Sequence, residues 1–246
     1  MVSRAPPVAV MMVYNDTPAA VFALKKSGIK TPADLAGKKL GAPVFDAGRR
    51  AYPVFARANG LDNAKANWIS MDPALRETML VRGDVDAITG FYFTSLLNLN
   101  ARGIKDDDVV VLRYPDYGVK LYGNAIIASD AMIQQKPEAI KGFLRAFAKA
   151  AKDVMAAPDG AARVIKERDG LVDEKLEARR LKLAIASAIA TPNAKAEGFG
   201  QVSAPRLSLM ASQVSDTYAT KTRVNAAAVW NGAFLPSKAA LNVFPK

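Results

Sequence analysis

The chain contains no cysteine and no histidine. These two absences exclude disulfides, thiolate nucleophiles, serine–histidine triads, Cys/His zinc sites and histidine-ligated iron. Carboxylate pairs, lysine chemistry and magnesium sites remain open. The lack of cysteine does not fix a compartment. Long hydrophobic runs are also missing: none approaches the ~20 residues that cross a bilayer. The apolar segment PVAVMMV is seven residues long. Arg4 precedes it, but Tyr14-Asn15-Asp16 follows where a signal peptide would carry a small-residue cleavage site. It reads as a buried strand. There are only two tryptophans, Trp68 and Trp230, and both read as core.

What is present is a chain of 246 residues, half of them apolar, with mean hydropathy near zero at +0.03. That suffices for a substantial core, in one large domain or two lobes. Thirty-four basic against 23 acidic residues give a net charge of +11. A nucleic-acid binder would gather such charge into one stripe. Here it is scattered over Lys25-Lys26, Lys38-Lys39, Arg49-Arg50 and Arg179-Arg180, mostly at spacings of solvated helix faces. No nucleic-acid role is expected. The charge favours solubility and attraction of anionic ligands or surfaces.

The chain is organised around residues 31–60. Thr31, Pro32 and Asp34 form a helix-start pattern, and Gly37 closes that short helix. A strand is expected over 38–43 and a loop over 42–48. A second helix follows over about 49–59, ended by Gly60. Pro53 belongs in its first turn, or else the helix begins after Tyr52. Before this stretch, residues 6–14 read as a strand whose continuous apolar run is typical of a parallel sheet covered on both faces. Residues 19–24 form a second apolar run. After it come strands over 68–71, 85–88 and 109–113, helices opened by Asp72-Pro73 and running to Arg102, and glycine stops at Gly83 and Gly103. Such alternation means an α/β sheet built from crossover units. From Tyr122 the character changes. A last strand covers 124–129. A long helix starts at Pro137 and ends at Pro158, with Ile140, Phe143, Leu144, Phe147, Ala151, Val154 and Met155 on one face. Further helices are expected over 174–190 and 203–220.

Several stretches together resemble one family. SGIKTPADLAGKKLGAP, LVRGDVDAITGFY with its G-x-V-D-A entry, YGNAIIAS followed by KPEAIKGFLRAFAKAAKDV, and VWNGAFLP stand in the order of the NMT1/THI5-like solute-binding proteins of bacterial ABC transporters. These are relatives of the sulfonate, nitrate and thiamine-pyrimidine binders. The resemblance implies a type II periplasmic-binding-protein fold, in which two α/β lobes close over a ligand in the cleft between them. Lobe 2 would comprise residues 31–122. Lobe 1 would comprise 1–30 together with 123–246 and the helical C-terminal region. Family members carry an export signal and about two strand–helix units ahead of the PVAVMMVY strand, so lobe 1 is expected to be incomplete. Its exposed sheet edges would then invite self-association. The resemblance further implies capture of a small nutrient (aromatic, pyrimidine-like or anionic), delivery to an ABC permease of the inner membrane, a periplasmic location, no cofactor and no enzymatic activity.

Three groups of residues are candidates for the ligand site. Asp46, Ala47, Gly48 and Arg49 open the second helix of the key stretch. Their backbone amides, aided by Arg49, could hold a phosphate, sulfonate or carboxylate, and Asp46 could instead take an amine or ring nitrogen. Thr89, Gly90, Phe91 and Tyr92 follow a strand end, where glycine permits close approach and the aromatics can stack on a flat ligand. Tyr117, Tyr122 and Asn124 lie beside the cleft in relatives, and Asn124 can both donate to and accept from a heterocycle edge. Each group has an ordinary alternative in loop, core or hinge structure. Asp106-Asp107-Asp108 reads as a solvated turn and not as a metal site. Two other functions compete. The thiamine-pyrimidine biosynthesis enzymes of this group consume an active-site histidine and use pyridoxal phosphate, a route closed to a chain without histidine. LysR-type effector domains share the fold but need a helix-turn-helix, for which there is no room ahead of the first strand.

Overall fold

A computed structural model describes residues 7–245. Pro6, where the first expected strand begins, lies outside them. The strands are β1 (Val8–Met12), β2 (Ala19–Leu24), β3 (Lys39–Ala42), β4 (Asn67–Ser70), β5 (Ala87–Phe91), β6 (Val109–Arg113) and β7 (Ala125–Ala128). The helices that matter here are α1 (Ala47–Ala58), α2 (Arg76–Arg82), α3 (Tyr92–Asn100), α4 (Asp130–Gln135), α5 (Pro137–Ala156), α6 (Pro158–Arg168), α7 (Glu174–Ala184), α8 (Pro192–Glu197) and α9 (Ala204–Tyr218). No helix among the described residues is long and apolar enough to cross a membrane.

The chain divides into two compact units. One comprises Met1–Thr17, Leu121–Ser215 and Thr220–Lys246, and the other Pro18–Lys120 with Asp216–Ala219. The boundary therefore falls at Pro18 and not at residue 31. The reason is β2: all six of its residues, AAVFAL, are buried, and it pairs antiparallel with both β5 and β6. An apolar run without a polar face fits only a strand covered on both sides.

In this second unit the five strands run in the order β4-β3-β5-β2-β6. β3 is parallel to β4 and to β5. The C-terminal ends of these three strands therefore share one edge of the sheet, and α1 starts there. The aromatic core beneath α1 fixes its pose. Phe55 stacks on Tyr114 at 4.6 Å, and Tyr52 meets Trp68 edge-on at 5.2 Å. Tyr114 is fully buried, and its hydroxyl donates to the Gly48 carbonyl at 2.9 Å. At the start of the key stretch, the Asp34 carboxylate accepts from the Thr31 amide at 2.8 Å and the Thr31 hydroxyl at 2.9 Å. The helix it opens is a single 3-10 turn, Pro32–Leu35. The residues 216–219 also pack here: Arg57 donates to the Asp216 carbonyl at 2.9 Å, and the Tyr218 hydroxyl donates to the Arg50 carbonyl.

The first unit is mostly helical. Its β1 pairs antiparallel with β7, with an irregularity between Ala9 and Met11, so the apolar run of β1 does not mark a parallel sheet. Val10 and Met11 pack with Ile140, Leu144 and Ala148 of α5 and with Phe199, Phe234 and Leu241. The face of α5 differs in detail from the expected one, since Phe143 is 57% exposed and Ala148 is buried instead. The expected helix over 174–190 is α7 continued by one π-helical turn, Ile185–Ile189. Arg206 ties distant segments of this unit together. It bonds Asp16 at 2.6 Å, Asn15 at 3.1 Å and the Leu121 carbonyl at 3.3 Å, and covers the Tyr122 ring at 4.2 Å.

Candidate functional site

The second unit carries a pocket of about 270 Å³ lined by Phe45, Asp46, Ala47, Arg76, Phe91 and Thr94. Its size falls just below the roughly 300–1,000 Å³ usual for ligand cavities. Each wall has a local cause. α1 begins at Ala47, two residues earlier than the sequence pattern suggests, because Asp46 is its N-cap. The Asp46 carboxylate accepts from the Arg49 amide at 2.8 Å, and its carbonyl accepts from the Arg50 amide at 2.9 Å. These bonds satisfy the third and fourth amides of the helix and leave those of Ala47 and Gly48 without a partner among the described residues. Pro53 consequently sits inside α1 and not in its first turn.

The same carboxylate joins three elements. Its Oδ1 also accepts from the buried Thr89 hydroxyl of β5 at 2.8 Å, and its Oδ2 accepts from Arg76 Nη1 at 3.3 Å. Thr89, Gly90 and Phe91 are the last residues of β5 and do not follow it. Their glycines let the elements close up. A Cβ on Gly48 would stand 3.0 Å from both Asp46 Oδ1 and Thr89 Cβ, and one on Gly90 would stand 2.2 Å from Ser95 Oγ and 3.2 Å from Arg76 Cζ. The Ser95 hydroxyl is buried without a hydrogen-bond partner among the described residues.

Arg76 is the residue that the sequence did not disclose. It opens α2 behind the Asp72-Pro73 turn, where arginine–glutamate ordinarily means a solvated surface. Here Arg76 is 9% exposed and Glu77 1%. Arg76 Nε donates to Glu77 Oε1 at 3.1 Å, and Nη2 lies 3.0 Å from the same oxygen. Phe45 was equally hidden, although its 67% exposure beside the N-cap is what makes it a wall. Only the place of the loop hinted at it.

The other expected residues lie elsewhere. Arg49 points to the strand ends, donating to the Ala42 carbonyl at 3.0 Å and to Ser70 Oγ at 2.9 Å, with its guanidinium 4.9 Å from the Trp68 ring centre. Tyr92 starts α3, with Arg113 at 5.4 Å over its ring. Tyr117 packs against Phe55 at 6.0 Å, and its carbonyl accepts from Asn59 at 3.1 Å. Tyr122 and Asn124 belong to the first unit. There the Tyr122 oxygen accepts from the Ser203 amide at 2.9 Å, and the Asn124 carbonyl accepts from the amides of Val13 and Tyr14 at 2.9 and 3.0 Å. Burial raises the Tyr122 hydroxyl pKa, and the Ser203 amide and Arg206 oppose the shift.

The order of strands, the helix start at their shared edge and the pocket beside it can be set against known proteins. The NMT1/THI5-like family model matches residues 2–161. The chain belongs to the NMT1/THI5-like family. The riboflavin-binding protein RibY of Chloroflexus aurantiacus is 29% identical to this chain over 157 residues, which are 63% of this chain and 43% of that protein. A putative thiamine biosynthesis protein of Haemophilus influenzae is 28% identical over 144 residues, 58% of this chain and 44% of that one. The chain thus spans less than half the length of these relatives. Among solved structures, the periplasmic aliphatic sulphonate-binding protein SsuA of Escherichia coli superposes with a TM-score of 0.67 over 91% of this chain and 69% of that one, at 18% identity. That likeness shows the fold, a mixed α/β periplasmic-binding-protein architecture.

Proposed function

We propose that this protein captures a small molecule in the pocket of its second unit and serves as the solute-binding component of an ABC importer. It performs no chemistry on the ligand. The reading rests on the pocket itself. Ala47, whose amide has no partner among the described residues, and a buried arginine line it with two phenylalanines at the shared C-terminal edge of β3, β4 and β5. Open α/β sheets bind ligands at that edge. Family membership supports a binding role. By analogy with the fold neighbour and the named relatives, the protein would work in the periplasm, hand its ligand to an inner-membrane permease, and take a ligand from among flavins, pyrimidines and sulphonates. Asp46, Ala47, Gly48, Thr89, Gly90 and Phe91 would build the pocket together with Phe45, Arg76 and Thr94. The proposal extends to Arg49, Tyr92, Tyr117, Tyr122 and Asn124 only as supports of the surrounding structure. A second role, self-association through the open edge of β7, would show as a dimer in sedimentation.

A thermal-shift screen of the purified chain against riboflavin, hydroxymethylpyrimidine, alkanesulfonates and nitrate tests the reading. A true ligand at 100 times its dissociation constant adds about 2.7 kcal/mol to stability. At least one compound should raise the melting temperature in a saturable way. A flat response to the whole panel would remove the proposal.

A further inference from the structure

The electrostatics of the pocket narrow the ligand class. The groups that face it are rich in donors. Arginine carries five N–H donors. On Arg76 no more than three are engaged, by Glu77 through Nε and Nη2 and by Asp46 through Nη1, at 3.0–3.3 Å. Arg76 lines the pocket together with Ala47, whose amide has no partner among the described residues. A ligand that fits must therefore present acceptors.

Yet the site is not an anion trap. Arg76 is enclosed by two carboxylates, and its side chain and that of Asp46 are each 10% exposed, with Glu77 at 2%. The triad carries one net negative charge. The start of α1 offers about half a positive charge in return, which does not cancel it. The guanidinium of Arg49 is committed to Ala42, Ser70 and Trp68. The excess of basic residues over the whole chain acts at longer range and is screened beyond about 8 Å at physiological salt. An anionic group brought against Arg76 would thus meet two carboxylates at close quarters in a poorly solvated place. Displacing Asp46 would cost α1 its cap.

We infer that the pocket selects a neutral planar ring with a hydrogen-bond acceptor on its edge, seated between Phe45 and Phe91 with that acceptor on Arg76, and rejects isosteric anions. The inference rests on the binding reading above and refines it. Arg76 is then the residue that reads the ligand, and Asp46 and Glu77 set the charge it tolerates.

Matched pairs test this on the intact chain. Nicotinamide is compared with nicotinate, and benzenesulfonamide with benzenesulfonate, by calorimetric titration at low and physiological salt. The neutral member of each pair should bind at least tenfold more tightly. Asp46→Asn keeps a good helix cap while removing one charge, and Glu77→Gln removes the other without touching the cap. Either should shrink the preference at least tenfold by improving anion binding. Tighter binding of the anions by the wild-type chain would overturn the inference and leave the binding reading standing. Unchanged selectivity in both variants would also overturn it. No binding by any of the four probes would overturn it, and with no response in the wider screen the binding reading would fall as well.

Discussion

At the residue scale, a few side chains set the geometry of the pocket. Tyr114 is the clearest. Its buried hydroxyl satisfies the Gly48 carbonyl, and so holds the first turn of α1 against the sheet. Tyr114→Phe should cost about 1 kcal/mol, the net worth of one buried hydrogen bond, measured by urea denaturation. The same residue gives a pH signature. Burial pushes the Tyr114 hydroxyl well above its ordinary value, and burial pushes Tyr52 up to about 12. A raised phenol pKa favours folding fully below the unfolded value of about 10, and that contribution is lost as pH climbs towards the folded value. Stability should therefore fall above pH 10, and Tyr114→Phe should lose part of that alkaline slope. Gly90 is the second test. A Cβ there would stand 2.2 Å from Ser95 Oγ, so Gly90→Ala should destabilise by about 1–3 kcal/mol, as overpacking does. It should also displace Arg76, and weaken ligand binding more than that loss of stability explains. Of these residues, only Gly90 stood out in the sequence as a place of close approach, expected there for a ligand; in the structure it is Ser95 and Arg76 that come close. Arg76 and Tyr114 did not stand out, because their partners are 30 and 66 residues away in the chain. No periodicity reports such distances.

At the element scale, the helices and strands were largely readable because their caps and stops are local. Gly60, Gly83 and Gly103 fall where helices end, all at positive φ, and Asp72 caps through the Ala74 amide at 2.8 Å. The errors came from tertiary context. β5 extends through Phe91 because β2 pairs with it as far as the Ala19–Phe91 pair, which no pattern within 85–92 reveals. α1 runs through Pro53 because Asp46 caps it early and aromatic packing holds both sides of the proline. A proline there removes one backbone bond, to the Arg49 carbonyl, and its ring crowds that carbonyl. Pro53→Ala should therefore stabilise the second unit by about 1 kcal/mol, read by thermal or urea denaturation. A loss of stability would mean that the proline ring itself is needed for the packing of Tyr52 and Phe55.

At the scale of the whole molecule, the family was legible because four motifs keep their order over most of the chain, and the composition had already removed the chemistry that needs cysteine or histidine. The unit boundary was misplaced by thirteen residues because β2, though it precedes residue 31, completes the sheet of the second unit. The pocket was legible only as a helix start. Its charge balance needed coordinates, since it depends on two carboxylates and one arginine drawn from α1 and α2. The central claim is capture of a small molecule in that pocket. Titrating the isotopically labelled chain with riboflavin, nicotinamide and benzenesulfonamide, and following its backbone amides by NMR, tests it most directly. The account predicts saturable binding of at least one of them, with the largest shifts at Ala47, Gly48 and Thr94. Saturable binding with shifts confined to the first unit, or no shift with any of the three, would contradict it.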